Sequence, residues 1–190
     1  VPILFFLIHD RRFGSSELLL SQALLIAVTV LFLVIDLLRL RVNRVKDVFI
    51  VLFGSMLRRR EFKSLTGGSH LLIASLLVVF IYEPRVLIPA ISFLAIGDTA
   101  AAIVGLAIGR IKFWGKTVEG TLAGLACCVA VAWLCSRLPY WNLPFLVGLV
   151  GAVTASAVEA LPSEVNDNVA VPIVSGLVMQ SVLWFHILGG

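Results

Sequence analysis

An all-α, polytopic membrane bundle is the fold class this sequence predicts, and three observations predict it. Of 190 residues, 60% are hydrophobic and 14% charged, against roughly 25% charged in soluble domains. Mean hydropathy is +1.07. The apolar residues run in long unbroken stretches, whereas the strands of a transmembrane barrel alternate apolar with polar. A single transmembrane domain over residues 1–190 accommodates them all.

The elements follow in order. Residues 1–8 are apolar but too short to span, and read as a truncated N-terminal helix. Residues 18–38 form the first complete candidate, close to the ~20 residues a bilayer requires. Residues 47–57 are oily but short and end in Arg58-Arg59-Arg60-Glu61, which suits an interfacial helix. Residues 69–82 make a short span, and 86–109, 121–136, 144–161 and 169–188 complete the set. The expectation is six full spans plus the stub and the interfacial segment. The start at Val1 suits a trimmed chain, and no cleavable signal peptide is expected.

Basic residues predict the orientation. Arg39, Arg41, Arg44, Lys46, Arg58, Arg59, Arg60 and Lys63 share one connection. With alternating spans, Arg110, Lys112 and Lys116 fall on the same side, and so does the 162–168 connection. Only Arg11, Arg12, Arg85 and Arg137 lie opposite, so the first side is expected to be cytoplasmic. The net charge of +4 then reflects topology and an anionic lipid surface, with no nucleic-acid partner implied.

Asp98 is the first candidate functional residue, because an ionisable group at membrane depth usually marks a site. Gly97, Ala101, Gly105 and Gly109 recur every four residues beside it, a smooth stripe that admits a close neighbour and could line an opening for a lipid. In a regular helix Asp98 lies ~16 Å below Gly109, so a cavity or a break near Gly105 is expected to give access to it. The following loop suits phosphate. Gly115 and Gly120 allow close backbone approach, and Lys116 brings a compact positive charge. Thr117 is placed to cap a helix whose N-terminus favours anions. Glu119 could serve a Mg²⁺ bound to phosphates. The order of residues is not that of a Walker loop.

A second acidic group follows on the same side. Glu159 succeeds Gly151 and Ala155 at four-residue spacing and is expected to face the bundle, while Asp167 and Asn168 precede a span. Capping is the expected role for Asn168, and capping and chemistry stay open for Asp167. Asp36 is expected to pair with Arg39 or Arg41. Cys127, Cys128 and Cys135 lack metal or redox spacing and are read as small hydrophobes. His9, His70 and His186 make no ligand set, and Tyr82, Trp114, Trp133, Tyr140 and Trp141 are read as interfacial anchors.

These residues together resemble the CTP-dependent polyprenol kinase family, which includes dolichol kinase, phytol kinase and CTP-using diacylglycerol kinases. The resemblance rests on Gly97-Asp98-Thr99-Ala100-Ala101, Gly105, Gly109, Lys116-Thr117-Val118-Glu119-Gly120-Thr121, Glu159 and Asp167-Asn168 before Val171-Pro172. Arg58 to Glu61 and Thr66-Gly67-Gly68 are similar to weaker upstream features, and residues 109–121 look closest to the dolichol kinase branch. Phosphatidate cytidylyltransferases share a related acid and lysine loop. The resemblance implies transfer of the γ-phosphoryl group of CTP, with Mg²⁺, to a long isoprenoid alcohol in the membrane. It implies catalytic roles for Asp98, Glu119 and Asp167, with Asp98 and Asp167 also as metal ligands. It implies nucleotide contacts from Arg110, Lys112, Lys116, Thr117, Gly120, Thr121 and Asn168, and substrate contacts from Arg58, Glu61 and Glu159. The membrane is the plasma membrane for a prokaryotic chain and the endoplasmic reticulum for a eukaryotic one. Another CTP-using lipid enzyme, or a small ion-coupled transporter using Asp98 and Glu159, stays open.

Overall fold

The structure, a computed structural model, describes residues 15–188 except 55, 56, 58, 140, 141, 163 and 164. The helical stub expected at residues 1–8, Arg11, Arg12 and any role of Arg58 lie outside the described residues. Helix α1 (Ser15–Arg41) carries Arg39 and Arg41 in its last turn, where cations favour the helix dipole. Extended backbone at Val42 separates it from α2 (Asn43–Phe53). A 3₁₀ turn (Arg59–Phe62) leads to α3 (Gly67–Ile81). Thr66 caps α3 by accepting from the Ser69 amide.

The next span is one helix in three pieces: α4 (Pro84–Ser92), a π-helical turn (Phe93–Asp98) and α5 (Thr99–Ile108). Pro89 lies inside α4; having no N–H, it removes a rung of the helical ladder just before the wider turn. The departure from regular helix therefore falls at 93–98 and not near Gly105. Strands β1 (Lys112–Phe113) and β2 (Lys116–Thr117) pair antiparallel. Their two-residue turn has φ 44 at Trp114 and φ 83 at Gly115, the positive pair that a type I′ hairpin demands. Helices α6 (Val118–Arg137), α7 (Phe145–Ala160) and α8 (Asp167–Leu188) complete the chain.

The bundle is centred on the α4–π segment, α6, α7 and α8, where Leu87, Ile91, Phe93, Cys128, Ala132, Val147, Met179 and Leu183 are buried. Its outside is apolar as well: Leu106 is 90% and Phe185 77% exposed. Among the described residues, four helical stretches are long and apolar enough to cross a membrane: Gln22–Arg41, Pro84–Ile108, Val118–Arg137 and Asp167–Phe185. Helices α3 and α7 are apolar but only 15 and 16 residues long, short of the ~20 a bilayer requires. A helical membrane bundle is thus present, with four candidate spans of full length among the described residues where six were expected.

The small-residue stripe is closed, not open. A Cβ on Gly97 would lie 2.6 Å from the Cys128 sulfur, one on Gly105 2.7 Å from the Thr117 hydroxyl, and one on Gly120 2.6 Å from the Ala101 carbonyl oxygen. Helix α5 therefore packs backbone-close along α6, and this seam leaves no room for a lipid. The cysteines are small hydrophobes as expected: all three are free, with Cys128 and Cys135 buried. Tyr82 is a correction. It is buried, with its hydroxyl donating to the Ile173 carbonyl at 2.6 Å, so it ties α3 to α8 instead of anchoring at an interface. Trp114 and Trp133 are exposed; Tyr140 and Trp141 lie outside the described residues.

Candidate functional site

One end of the bundle gathers the C-terminus of α1, the N-terminus of α3, the β-hairpin, the N-terminus of α6, the C-terminus of α7 and the N-terminus of α8. Two polar bonds show how. Asn168 Nδ2 donates to the Gly67 carbonyl at 3.0 Å, joining α8 to α3. Lys116, from the hairpin, reaches across to α7 and α8.

Lys116 is the centre of the charged cluster. Its Nζ lies 2.8 Å from Glu159 Oε1 and 3.2 Å from Asp167 Oδ2, and it also donates to the Glu159 backbone carbonyl. The Glu159 side chain is the most buried of the three, at 13% exposure. Three residues scattered over 51 positions of sequence thus form one unit. The hairpin register explains the reach: Lys112 pairs with Thr117 and Phe113 with Lys116, so the strand delivers Lys116 just before Thr117 starts α6. Thr117 caps that helix, accepting from the Gly120 amide at 3.2 Å, as expected.

Asp98, at the end of the π turn, borders two cavities. The smaller lies in the bundle between Gly97, Gly124, Cys128, Ser156 and Glu159. The Lys116 cluster and Asp98 therefore meet through Glu159, which lines this cavity on one side and pairs with Lys116 on the other. The larger is a cleft of about 790 Å³ between α1, α2 and the start of α3, within the ~300–1,000 Å³ range of ligand pockets. Asp36, Arg44, Glu61, Thr66, Asp98, Asn168 and the Gly67–Gly68 backbone form its polar part.

The α1 end is stapled to this site by a buried ion pair. Asp36 and Arg39 meet at 2.9 Å, as expected, with side chains only 3% and 2% exposed. Asp36 Oδ2 also accepts from the Thr66 amide (2.7 Å), the Thr66 hydroxyl (2.9 Å) and the Ser69 hydroxyl (2.6 Å). Arg39 donates to the carbonyls of Glu61 and Ser64 and lies over the Phe49 ring. Such bonding is what a buried charge pair needs to persist. The staple holds Thr66-Gly67-Gly68 in place, and Glu61 Oε1 then accepts from the Gly67 amide at 2.7 Å.

Other expected site residues land elsewhere. Arg110 and Lys112 are exposed on the hairpin. Glu119 accepts from the Ile111 amide with both carboxylate oxygens, 3.3 Å each, and braces the hairpin base instead of lining either cavity. The Thr121 hydroxyl is buried with no hydrogen-bond partner among the described residues. Capping of α8 falls to Asn166, whose Oδ1 accepts from the Asn168 amide at 3.0 Å. That correction frees Asp167 for Lys116 and Asn168 for Gly67. Sequence reasoning also missed α2 as a cavity wall and the π turn. A signal existed for each: the Asx residue two places before Asn168, the amphipathic run 43–53, and Pro89 within an apolar span.

Among the described residues no group of three or more His, Cys, Asp and Glu could hold a metal. Mg²⁺ typically takes one or two carboxylates and completes its shell with water and substrate phosphates; Glu159 and Asp167, both on Lys116, are the two carboxylates the structure brings together, and Asp98 borders the same small cavity as Glu159.

No protein-family model matches the chain. It is similar to an uncharacterized protein of Rickettsia prowazekii (strain Madrid E), 24% identical over 155 residues, which cover 79% of this chain and 76% of that protein. No solved structure matches.

Proposed function

We propose that this chain is a CTP-dependent kinase of a long-chain isoprenoid alcohol. The observation that carries the reading is the Lys116–Glu159–Asp167 cluster, joined through Glu159 to an acid at membrane depth, Asp98, that also borders a large cleft. A lysine held among carboxylates at a helix N-terminus suits phosphate once the carboxylates turn to a cation. Choice of CTP over ATP, and of isoprenoid over other alcohols, comes from the resemblance to polyprenol kinases alone.

In this reading the alcohol oxygen attacks the γ-phosphorus, an O–P bond forms, the bridging P–O bond breaks and CDP departs. Phosphoryl transfer asks mainly for positioning and charge stabilisation. Lys116 leaves its carboxylates to neutralise the phosphates. Asp98, on the cleft, receives the hydroxyl proton. Asp167, with Glu159 beside it, would hold Mg²⁺, which supplies charge neutralisation on the phosphates when bound. The charged end of the bundle faces the cytoplasm, where nucleotide resides, and α3 and α7 cross as short spans.

Two experiments test this. Purified protein with γ-labelled CTP is expected to label an isoprenoid alcohol in preference to diacylglycerol or phytol. A CDP-lipid product with pyrophosphate release would make it a cytidylyltransferase and sink the kinase reading. A cysteine replacing Trp114 on the exposed hairpin, in a chain with Cys127, Cys128 and Cys135 changed to alanine, should resist an impermeant reagent in intact cells; rapid labelling there would reverse the orientation.

A further inference from the structure

We propose that the cleft between α1 and α2 binds one lipid alcohol, with its hydroxyl at Asp98 and Asn168 and its chain along α2. The proposal rests on the kinase reading only for what happens to the hydroxyl afterwards; the binding stands on its own geometry.

The walls argue for a chain. Phe32 and Ile35 of α1 face Val48, Phe49 and Leu52 of α2 across the cleft. No residue of α2 is buried by the rest of the protein, and Val48 and Leu52 are 61% and 66% exposed. An apolar wall with so little protein against it suits an apolar chain, and the acids lining this cleft set it apart from the equally apolar outside of the bundle. The closed α5–α6 seam cannot serve instead, since it has no room for even one added methyl.

The inner end argues for a neutral head. Asp98 and Glu61 bring two carboxylates and Asn168 a carboxamide, beside the Gly67–Gly68 backbone. Asp36 is neutralised by Arg39, and among the described residues Arg44 is the cation of the lining. A hydroxyl can donate to such acceptors, whereas a phosphate head would face two like charges. The cleft thus selects the alcohol and disfavours its phosphorylated form, so the same site that takes up an acceptor would release an anionic product.

The test is photolabelling of the full chain in detergent with a long-chain isoprenoid alcohol carrying a diazirine on its chain. Label is expected on Phe32, Val48 and Leu52, displaced by unlabelled alcohol at concentrations at least about tenfold below those of the matching alkyl phosphate. Leu52→Trp should lower labelling by about tenfold, as expected for losing roughly two buried methylenes of contact. Leu106→Trp, on the 90% exposed face of α5, should leave labelling unchanged. Gel filtration and melting check both variants, and Val48→Trp substitutes if Leu52→Trp misfolds. Label on the α5 or α6 outer faces, equal displacement by the phosphate, or cross-links showing residues 1–14 or a second copy in the cleft would each overturn the proposal. Displaceable cleft labelling without CTP turnover would remove the kinase reading and leave this site standing. Turnover with label elsewhere would do the reverse.

Discussion

Lys116→Ala is the perturbation with the clearest structural consequence. The lysine nitrogen sits 2.8 Å from Glu159 and 3.2 Å from Asp167, and its side chain is 27% exposed. At an effective dielectric of ~20, each contact is worth about 5–6 kcal/mol of gross attraction. Desolvating three charged groups removes most of that. Exposed pairs net ~0–1 kcal/mol, and removing one partner of a buried pair costs ~3–5. This cluster lies between those limits, so a loss of about 2 kcal/mol is expected. For a chain of this length that lowers the melting temperature by about 4–8 °C. Part of the loss is the mutual repulsion of the two carboxylates left behind, so Glu159→Gln added to Lys116→Ala should recover some stability. Thermal melting of the four proteins in one detergent, followed by gel filtration, completes a double-mutant cycle. Strict additivity within about 0.3 kcal/mol would show that Lys116 and Glu159 do not interact, and the charged cluster would have to be abandoned.

Three further outcomes are expected. Gly97→Ala sets a methyl group 2.6 Å from the Cys128 sulfur and should cost about 1–3 kcal/mol by overpacking; Cys128→Ala in the same chain should restore most of it, and failure to rescue would mean the π turn and α6 are not in contact there. Asp36→Ala leaves Arg39 buried without its carboxylate and should destabilise by about 3–5 kcal/mol, with a loss under about 1 kcal/mol showing the staple to be solvated. Asp98→Asn keeps size and hydrogen bonding while removing charge, so CTP-dependent turnover should fall by about a hundredfold or more with melting unchanged; near-normal turnover in a folded variant would remove Asp98 from the chemistry.

Much of the architecture was legible in composition and spacing, since continuous apolar runs in a weakly charged chain leave helices as the way to satisfy the backbone in hydrocarbon. The same reasoning gave Asp36 a partner in Arg39 or Arg41, of which the structure selects Arg39, three residues on along the same helix face, and it found the Thr117 cap, because a threonine opens the apolar run after a glycine-rich turn. Span count was less legible: hydropathy marked α3 and α7, but their ends are set by Thr66 and by the turn after Ala160, which leave both helices short.

What the sequence by itself determined is the inventory: a helical membrane bundle, one acid in a glycine-flanked span, and a lysine hairpin followed by a capped helix. What only the tertiary structure decided is which of these meet. Lys116 finds Glu159 and Asp167 because the hairpin register and the α7–α8 turn converge at one end, and no local pattern encodes a partner 43 or 51 residues away. The glycine stripe was visible, but whether it opened to lipid or closed on a helix depended on Gly120 and Gly124 of α6 lying opposite it. Local spacing fixes which face a residue occupies; packing of distant helices decides what that face touches.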